Sequence, residues 1–312
     1  MTTLTRGAGR VTRSAPRPRS APRPALLILA GPFAILFLAV YVVPLVYAMQ
    51  RSLFQVRSSG LGFGPSEDVF VGFANYASVL ADAAFWAAVG RVFLYGVIQI
   101  PVMLVLAMLI ALLIDSRAVW RPTVFRLTTF LPYAVPGIVA TLLWTYLYVP
   151  QLSPIVKGLH AIGWQVDLLG QQTVLLSVAN IAIWSWTGYN VVIYTAALQA
   201  IPQDLVEAAR IDGASEAGIA VRIKVPLIRG SVGLTALLSM IGTVQLFNEP
   251  YILKTVTTAV SSDWTPMMMA LNTTFGANDF ERGSAISIVI ALIAGVLAVI
   301  YQLASTRSER SA

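Results

Sequence analysis

The chain has 312 residues, of which 57% are hydrophobic and only 11% charged, and its mean hydropathy is +0.76. Water-soluble domains carry about 25% charged residues, so a soluble fold of this composition would expose large apolar patches; the bilayer is its natural solvent. Cysteine is absent, which excludes disulfides, thiolate catalysis and Cys-ligated metals, and the net charge of +7 raises a nucleic-acid reading that its placement answers below.

Residues 1–24 carry Arg6, Arg10, Arg13, Arg17, Arg19 and Arg23 among prolines and glycines, with no acid. Such a stretch cannot bury a core and is expected to be disordered. The apolar run after it, Ala25–Met49, is longer than a signal-peptide core and ends in no small-residue cleavage site. The reading is a cytoplasmic tail before a retained first span. A helix crosses the bilayer core with about 20 apolar residues, which predicts further spans at Phe85–Ile114, Thr123–Val149, Thr173–Gln199, Leu227–Phe247 and Ala285–Leu303. The fold class is therefore all-α: a polytopic membrane protein with about six transmembrane helices, and a short C-terminal tail, 305–312.

Between the first two spans, Gly60, Gly62 and Gly64 read as a flexible outer turn, since a phosphate loop needs another spacing and a following Lys-Ser/Thr. Arg91 is placed to snorkel, because Val92–Ile114 alone suffices to cross. Pro132, Pro136 and Gly137 interrupt the third span and mark either a hinge or a fixed kink. His160, the only histidine, lies in an amphipathic outer stretch, 153–164, without company for a metal. In the fourth span Ser177, Asn180, Trp184, Thr187 and Tyr194 fall within an arc of about 100° at the helical period. That stripe suits either a wet sugar path or hydrogen bonding between helices. In the fifth, Ser231, Thr235, Ser239 and Thr243 at four-residue spacing favour close helix packing, and Gln245 and Glu249 continue outward as candidate path residues.

The connection 201–226 is too polar for lipid. Pro202 suits a first helical turn, Glu207 and Arg210 can pair at i, i+3, and Gly213 is placed to stop one helix in a left-handed conformation. Ser215 can cap a second helix through Lys224, ended by Pro226. Helices this short are not stable alone, below about 12–15 residues. Their apolar faces (Leu205, Ala208, Ala209, then Ile219, Ala220, Ile223) either fold back on the spans or dock into a soluble partner. The basic residues follow this topology. Most lie in the N-terminal tail, 115–126, 201–230 and the C-terminal tail; the other connections hold Arg51, Arg57, Lys157, Lys254 and Arg282. Positive residues retained inside set both termini on the cytoplasmic side and leave no continuous patch for nucleic acid.

Glu207-Ala208-Ala209, Gly213 after three further residues, and Ile223-x-Val225-Pro226 after nine more resemble the signature loop of binding-protein-dependent ABC importer permeases. The run from Leu198 to Ser215 is similar to the sugar and glycerol-phosphate branch, as are 70–76, Phe130-Leu-Pro-Tyr133, Trp144, Trp186-x-Gly188 and 247–253. The likeness covers about residues 25–304. The chain departs from the pattern with Ala217, Ile219 and Val221 where bulky aromatics are usual, and with Lys254-Thr-Val-Thr-Thr in place of a Gly-Gly-Pro turn. The resemblance implies a type I importer permease domain over 25–304 in a bacterial plasma membrane. It implies a second homologous permease, a cytoplasmic ABC ATPase dimer and an extracellular solute-binding protein as partners, and a sugar as cargo. Glu207, Ala208, Ala209, Asp212, Gly213, Ile223 and Pro226 would then couple to the ATPase. ATP and Mg²⁺ belong to that partner, and no cofactor or catalytic residue is expected here. The competing reading, a secondary transporter or channel without an ATPase, would place ionisable groups inside the spans for coupling; the span interiors lack an obvious acid apart from Glu249 at an end. An intramembrane enzyme finds no paired carboxylates or H-E-x-x-H.

Overall fold

The computed structural model describes residues 23–58, 66–116 and 119–310. The basic tail up to residue 22, the Gly60-Gly62-Gly64 turn and the last two residues lie outside them, so the expectations for those segments stand as stated above.

The first unit, described from residue 23 to 47, holds α1 (Arg23–Phe37), a π-helical turn (Leu38–Val42) and the start of α2 (Val43–Arg51). The π turn has a cause. Pro44 has no N–H to return to Val40, and the Val43 N–H instead reaches back five residues to the Leu38 carbonyl.

The second unit, 48–312, opens with an antiparallel hairpin, β1 (Phe54–Ser58) and β2 (Ser66–Phe70), with Phe54 opposite Phe70. This is the one strand pair among the described residues, and it modifies the all-helical expectation. Asn75, from α3 (Ala74–Leu80), donates to the Ser52 and Phe54 carbonyls at 2.9 and 2.7 Å and holds the hairpin's base. The spans follow: α4 (Ala83–Ile114), α5 (Pro122–Ala134), α6 (Gly137–Tyr148), the short outer α7 (Pro154–Ala161) and α8 (Val174–Gln199). After them come α9 (Gln203–Ile211), α10 (Glu216–Ile219), a π turn (Ala220–Lys224) and α11 (Val225–Leu227). The chain closes with α12 (Arg229–Val244), α13 (Asn248–Leu253), α14 (Pro266–Leu271) and α15 (Phe280–Arg310).

Four helices, Ile28–Arg51, Ala83–Ile114, Arg229–Leu253 and Phe280–Ala304, are long and apolar enough to cross a membrane. The expected third span is not one rod. α5 and α6 meet at 91°, because Val135 before Pro136 is extended and Pro136 has no N–H to carry the ladder on. The expected fourth span, α8, has crossing length, about 39 Å at 1.5 Å per residue. It takes its cover from protein, packed chiefly against α4 and α5. Small residues allow this approach: a Cβ on Gly188 would overlap the Thr129 carbonyl and the Phe130 backbone of α5. Arg91, expected to snorkel, has protein partners for its guanidinium. Its guanidinium donates to the Trp264 and Asp263 carbonyls at 2.9 and 3.1 Å and fixes the loop before α14.

Candidate functional site

Two features stand out, a helical loop at one end of the spans and a polar cavity among them. In the loop, α9 ends on Gly213 at φ +82°. The Gly213 N–H donates to the Arg210 carbonyl and the Ala214 N–H to the Ala209 carbonyl, both at 3.0 Å, which satisfies the helix's last carbonyls. Ser215 then caps α10, accepting from the Gly218 N–H. Arg210 pairs with Glu216, at 2.6 and 3.2 Å, rather than with Glu207, so a fork spans the glycine turn and sets the angle between the helices. That hydrogen bond holds the Arg210 guanidinium above its ordinary pKa. The second helix widens into its π turn because Pro226 cannot donate to Arg222, and the Val225 N–H reaches back to Ala220.

The loop has two faces. Val206 and Ile219 are buried in a cluster with Ala107, Ala111 and Ile114 of α4 and Val191, Tyr194 and Leu198 of α8. The opposite face is bare: Leu205 is 50% exposed, Val221 66% and Ile211 86%. Glu207, Ala208, Asp212, Gly213 and Pro226 are exposed with it, while Ala209 and Ile223 are half-buried between the faces. The fold-back reading describes the buried side, and the other side is left exposed among the described residues. Val206 and the Arg210–Glu216 pair escaped sequence reasoning, although Val206 and Ala209 at i, i+3 are a detectable second stripe.

The cavity, about 320 Å³, lies between α4, α8, α12 and α13. Tyr95 and Gln99 come from α4, Trp186, Tyr189 and Asn190 from α8, and Ser239 and Thr243 from α12. Gln245 and Glu249 line it as expected. The α8 stripe read from the sequence does not. Asn180 donates to the Tyr148 hydroxyl at 2.8 Å, and Tyr148 in turn to the Ser177 carbonyl. Trp184 meets Trp144 edge to face, Thr187 bonds back to the Ile183 carbonyl, and Tyr194 is hydrogen-bonded to Thr235 at 2.7 Å, fully buried. Asn180 and Tyr194 are thus satisfied from neighbouring helices and Thr187 within α8 itself. The cavity-lining face, Ala182, Trp186, Tyr189 and Asn190 at i, i+4, i+7 and i+8, lies on the other side of α8. Of the fifth-span hydroxyls, Thr235, Ser239 and Thr243 line the cavity, and Thr235 is also hydrogen-bonded to Tyr194.

Comparison with known proteins agrees with this architecture. Residues 103–311 match the family described as the binding-protein-dependent transport system inner membrane component. The chain is 32% identical over 229 residues to the probable ABC transporter permease protein YurN of Bacillus subtilis, covering 70% of this chain and 75% of that protein. It is 28% identical over 275 residues to the lactose transport system permease protein LacF of Rhizobium radiobacter, covering 85% and 88% respectively. Its fold is similar to a chain of the bacterial alginate ABC transporter solved in complex with alginate pentasaccharide-bound periplasmic protein, with a TM-score of 0.78 at 17% identity, covering 91% of this chain and 94% of that one. A multi-span helical protein with this loop and this match over two thirds of its length belongs to the binding-protein-dependent transport system inner membrane component family, the permeases of ABC importers.

Proposed function

We propose that the chain forms one half of the path for a sugar or oligosaccharide and takes its drive from a separate ATPase that grips the 201–226 loop. The observation that carries this reading is the division of that loop into two faces. Helices of nine and four residues do not hold in water alone. Val206 and Ile219 supply the anchor, and the anchored pair then offers Leu205, Ile211 and Val221, which the described residues leave half to largely exposed. Glu207 and Asp212 give that face polar contacts, Ala208 leaves room for close approach, and Gly213 sets the bend. Ile223 and Pro226 lead it into α12.

ATP and Mg²⁺ then belong to a cytoplasmic ATPase dimer, which places the loop and both termini on the cytoplasmic side of a bacterial plasma membrane. The lactose permease's name and the alginate system's periplasmic protein support a sugar cargo delivered by an extracellular solute-binding protein. A second homologous permease closes the path. The cavity suits such cargo: amides and hydroxyls for sugar hydroxyls, and the rings of Trp186 and Tyr189 for the apolar face of a pyranose. The chain has no cysteine, so Ile211→Cys gives this chain a single thiol for cross-linking in the assembled transporter. Cross-links from Ile211→Cys to the ATPase, whose yield changes with nucleotide, are expected. A thiol that labels freely with soluble reagent and never cross-links overturns the coupling role.

A further inference from the structure

The fold does not decide the charge of the cargo, since an importer of an acidic polysaccharide shares it; the lining of the cavity bears on that question. Resting on the reading of this cavity as a sugar path, we propose that Glu249 makes it selective by charge, admitting uncharged hydroxylated substrates and amino-sugar cations and turning away uronates and sugar phosphates.

Glu249 is the only carboxylate among the described lining residues, and none of them is Lys, Arg or His. It has no ion-pair partner among the described residues. Lys254, five residues on, and Arg91, one turn before the lining residue Tyr95, are committed elsewhere. Lys254 reaches the Ser262 hydroxyl and the Tyr251 ring, and Arg91 is held by the Asp263 and Trp264 carbonyls. Glu249 stands in the first turn of α13, at the outer end of α12.

A carboxylate only accepts hydrogen bonds, so it matches adjacent sugar hydroxyls, which donate. Against an anionic sugar the same group has no compensating donor of positive charge, and the neutral amides of Gln99 and Asn190 cannot supply one. Two anions a few ångströms apart in a partly dry site repel far more strongly than in bulk water. The cavity's polarity comes from neutral groups, and its sign from one residue.

The test uses a single thiol, Ser239→Cys, in the complete transporter reconstituted in lipid nanodiscs, where both sides are open to reagent. Ser239 faces the cavity. Its modification is followed by the mass of this chain with two methanethiosulfonates of similar size, one bearing a sulfonate and one a quaternary ammonium. Rates are normalised to a free thiol in solution. The ammonium reagent is expected to react about tenfold faster, and Glu249→Gln to bring the ratio near one. Raising the salt to 1 M should shrink the wild-type preference without any mutation at Glu249, since screening acts on the same charge. A ratio near one with Glu249 present, or a preference untouched by both Glu249→Gln and salt, overturns the charge filter and leaves the sugar path standing. A thiol that neither reagent reaches overturns the path itself.

Discussion

Lys224 donates to the Asp115 carboxylate at 2.6 Å, joining the end of the loop's π turn to the end of α4 across 109 positions of sequence. Both side chains are mostly covered, 13% and 20% exposed. The bond therefore sits between a surface pair, worth about 0.2–1 kcal/mol, and a buried pair whose breaking costs about 3–5 kcal/mol. It is the polar link between the proposed drive and the span that walls the cavity with Tyr95 and Gln99.

Either Lys224→Met or Asp115→Asn is expected to loosen that link, with a double-mutant coupling energy of about 1–2 kcal/mol in thermal unfolding. Transport should fall further than nucleotide hydrolysis, because the ATPase would still turn over while the span no longer follows. The exchange Lys224→Asp with Asp115→Lys should restore much of the loss. Equal loss in the exchanged and the single variants would argue against a specific pair.

At Gly213 the backbone lies at φ +82° with no neighbouring atom near an added Cβ. Substitution there strains the backbone without a steric clash, so the identity of the new residue should set the outcome. Asn enters the left-handed region at modest cost, whereas β-branched Val pays about 1–2 kcal/mol or more. Gly213→Asn should keep most transport. Gly213→Val should lose it by tenfold or more, while insertion in the membrane is retained; Glu207→Lys, on the bare face, should uncouple without lowering the melting temperature. Vesicle uptake with parallel ATPase assays separates the two.

The spans and the loop were legible because each is written in one local pattern: apolar runs of crossing length, and Gly213, Ser215 and Pro226 at fixed punctuation. What stayed hidden depends on which side of a helix meets protein. On α8, polarity alone picked out Asn180, Thr187 and Tyr194, yet Tyr148, Ile183 and Thr235 satisfy them from α6, α8 and α12. Nothing within α8 reports Tyr148 or Thr235, and Thr187 had a local alternative in the carbonyl one turn back. The cavity face beside it, with Trp186 and Asn190, carries fewer polar groups. The sequence marks an interruption at Val135–Pro136, but the size of the angle rests on the extended Val135, since the same proline permits a shallow bend in a helix that continues through it.

Gly188 and Gly295 make a controlled pair. A methyl at Gly188 overlaps the Thr129 carbonyl where α8 crosses α5, and both backbones are fixed by their ladders. A methyl at Gly295 of α15 meets nothing within 4 Å. Gly188→Ala is expected to cost about 1–3 kcal/mol from overpacking, with a lower melting temperature and reduced folded yield. Gly295→Ala should be neutral or stabilising by up to about 1 kcal/mol, since helical glycine carries excess chain entropy. Indistinguishable melting curves for the two variants would remove the close α5–α8 contact.

Arg51 bridges two acids, Asp68 of β2 at 2.6 Å and the buried Glu281 at the start of α15, and so ties the hairpin to the last span. The bridging guanidinium draws the exposed Asp68 carboxyl below its ordinary pKa. A depressed carboxylate pKa contributes stability that is full above the unfolded value, near 4, and is lost as the pH falls through the lower folded value. The β1–β2 amides should therefore keep constant hydrogen-exchange protection, corrected for intrinsic rates, from pH 8 down to about 5 and lose it only below about 4. Asp68→Asn should abolish that acid step and loosen the hairpin at neutral pH. Arg51→Ala should act more severely, because it strands Glu281, whose side chain is 5% exposed, without its cation. Protection that declines smoothly between pH 8 and 5, or that is unchanged by Asp68→Asn, would place the hairpin's tether elsewhere.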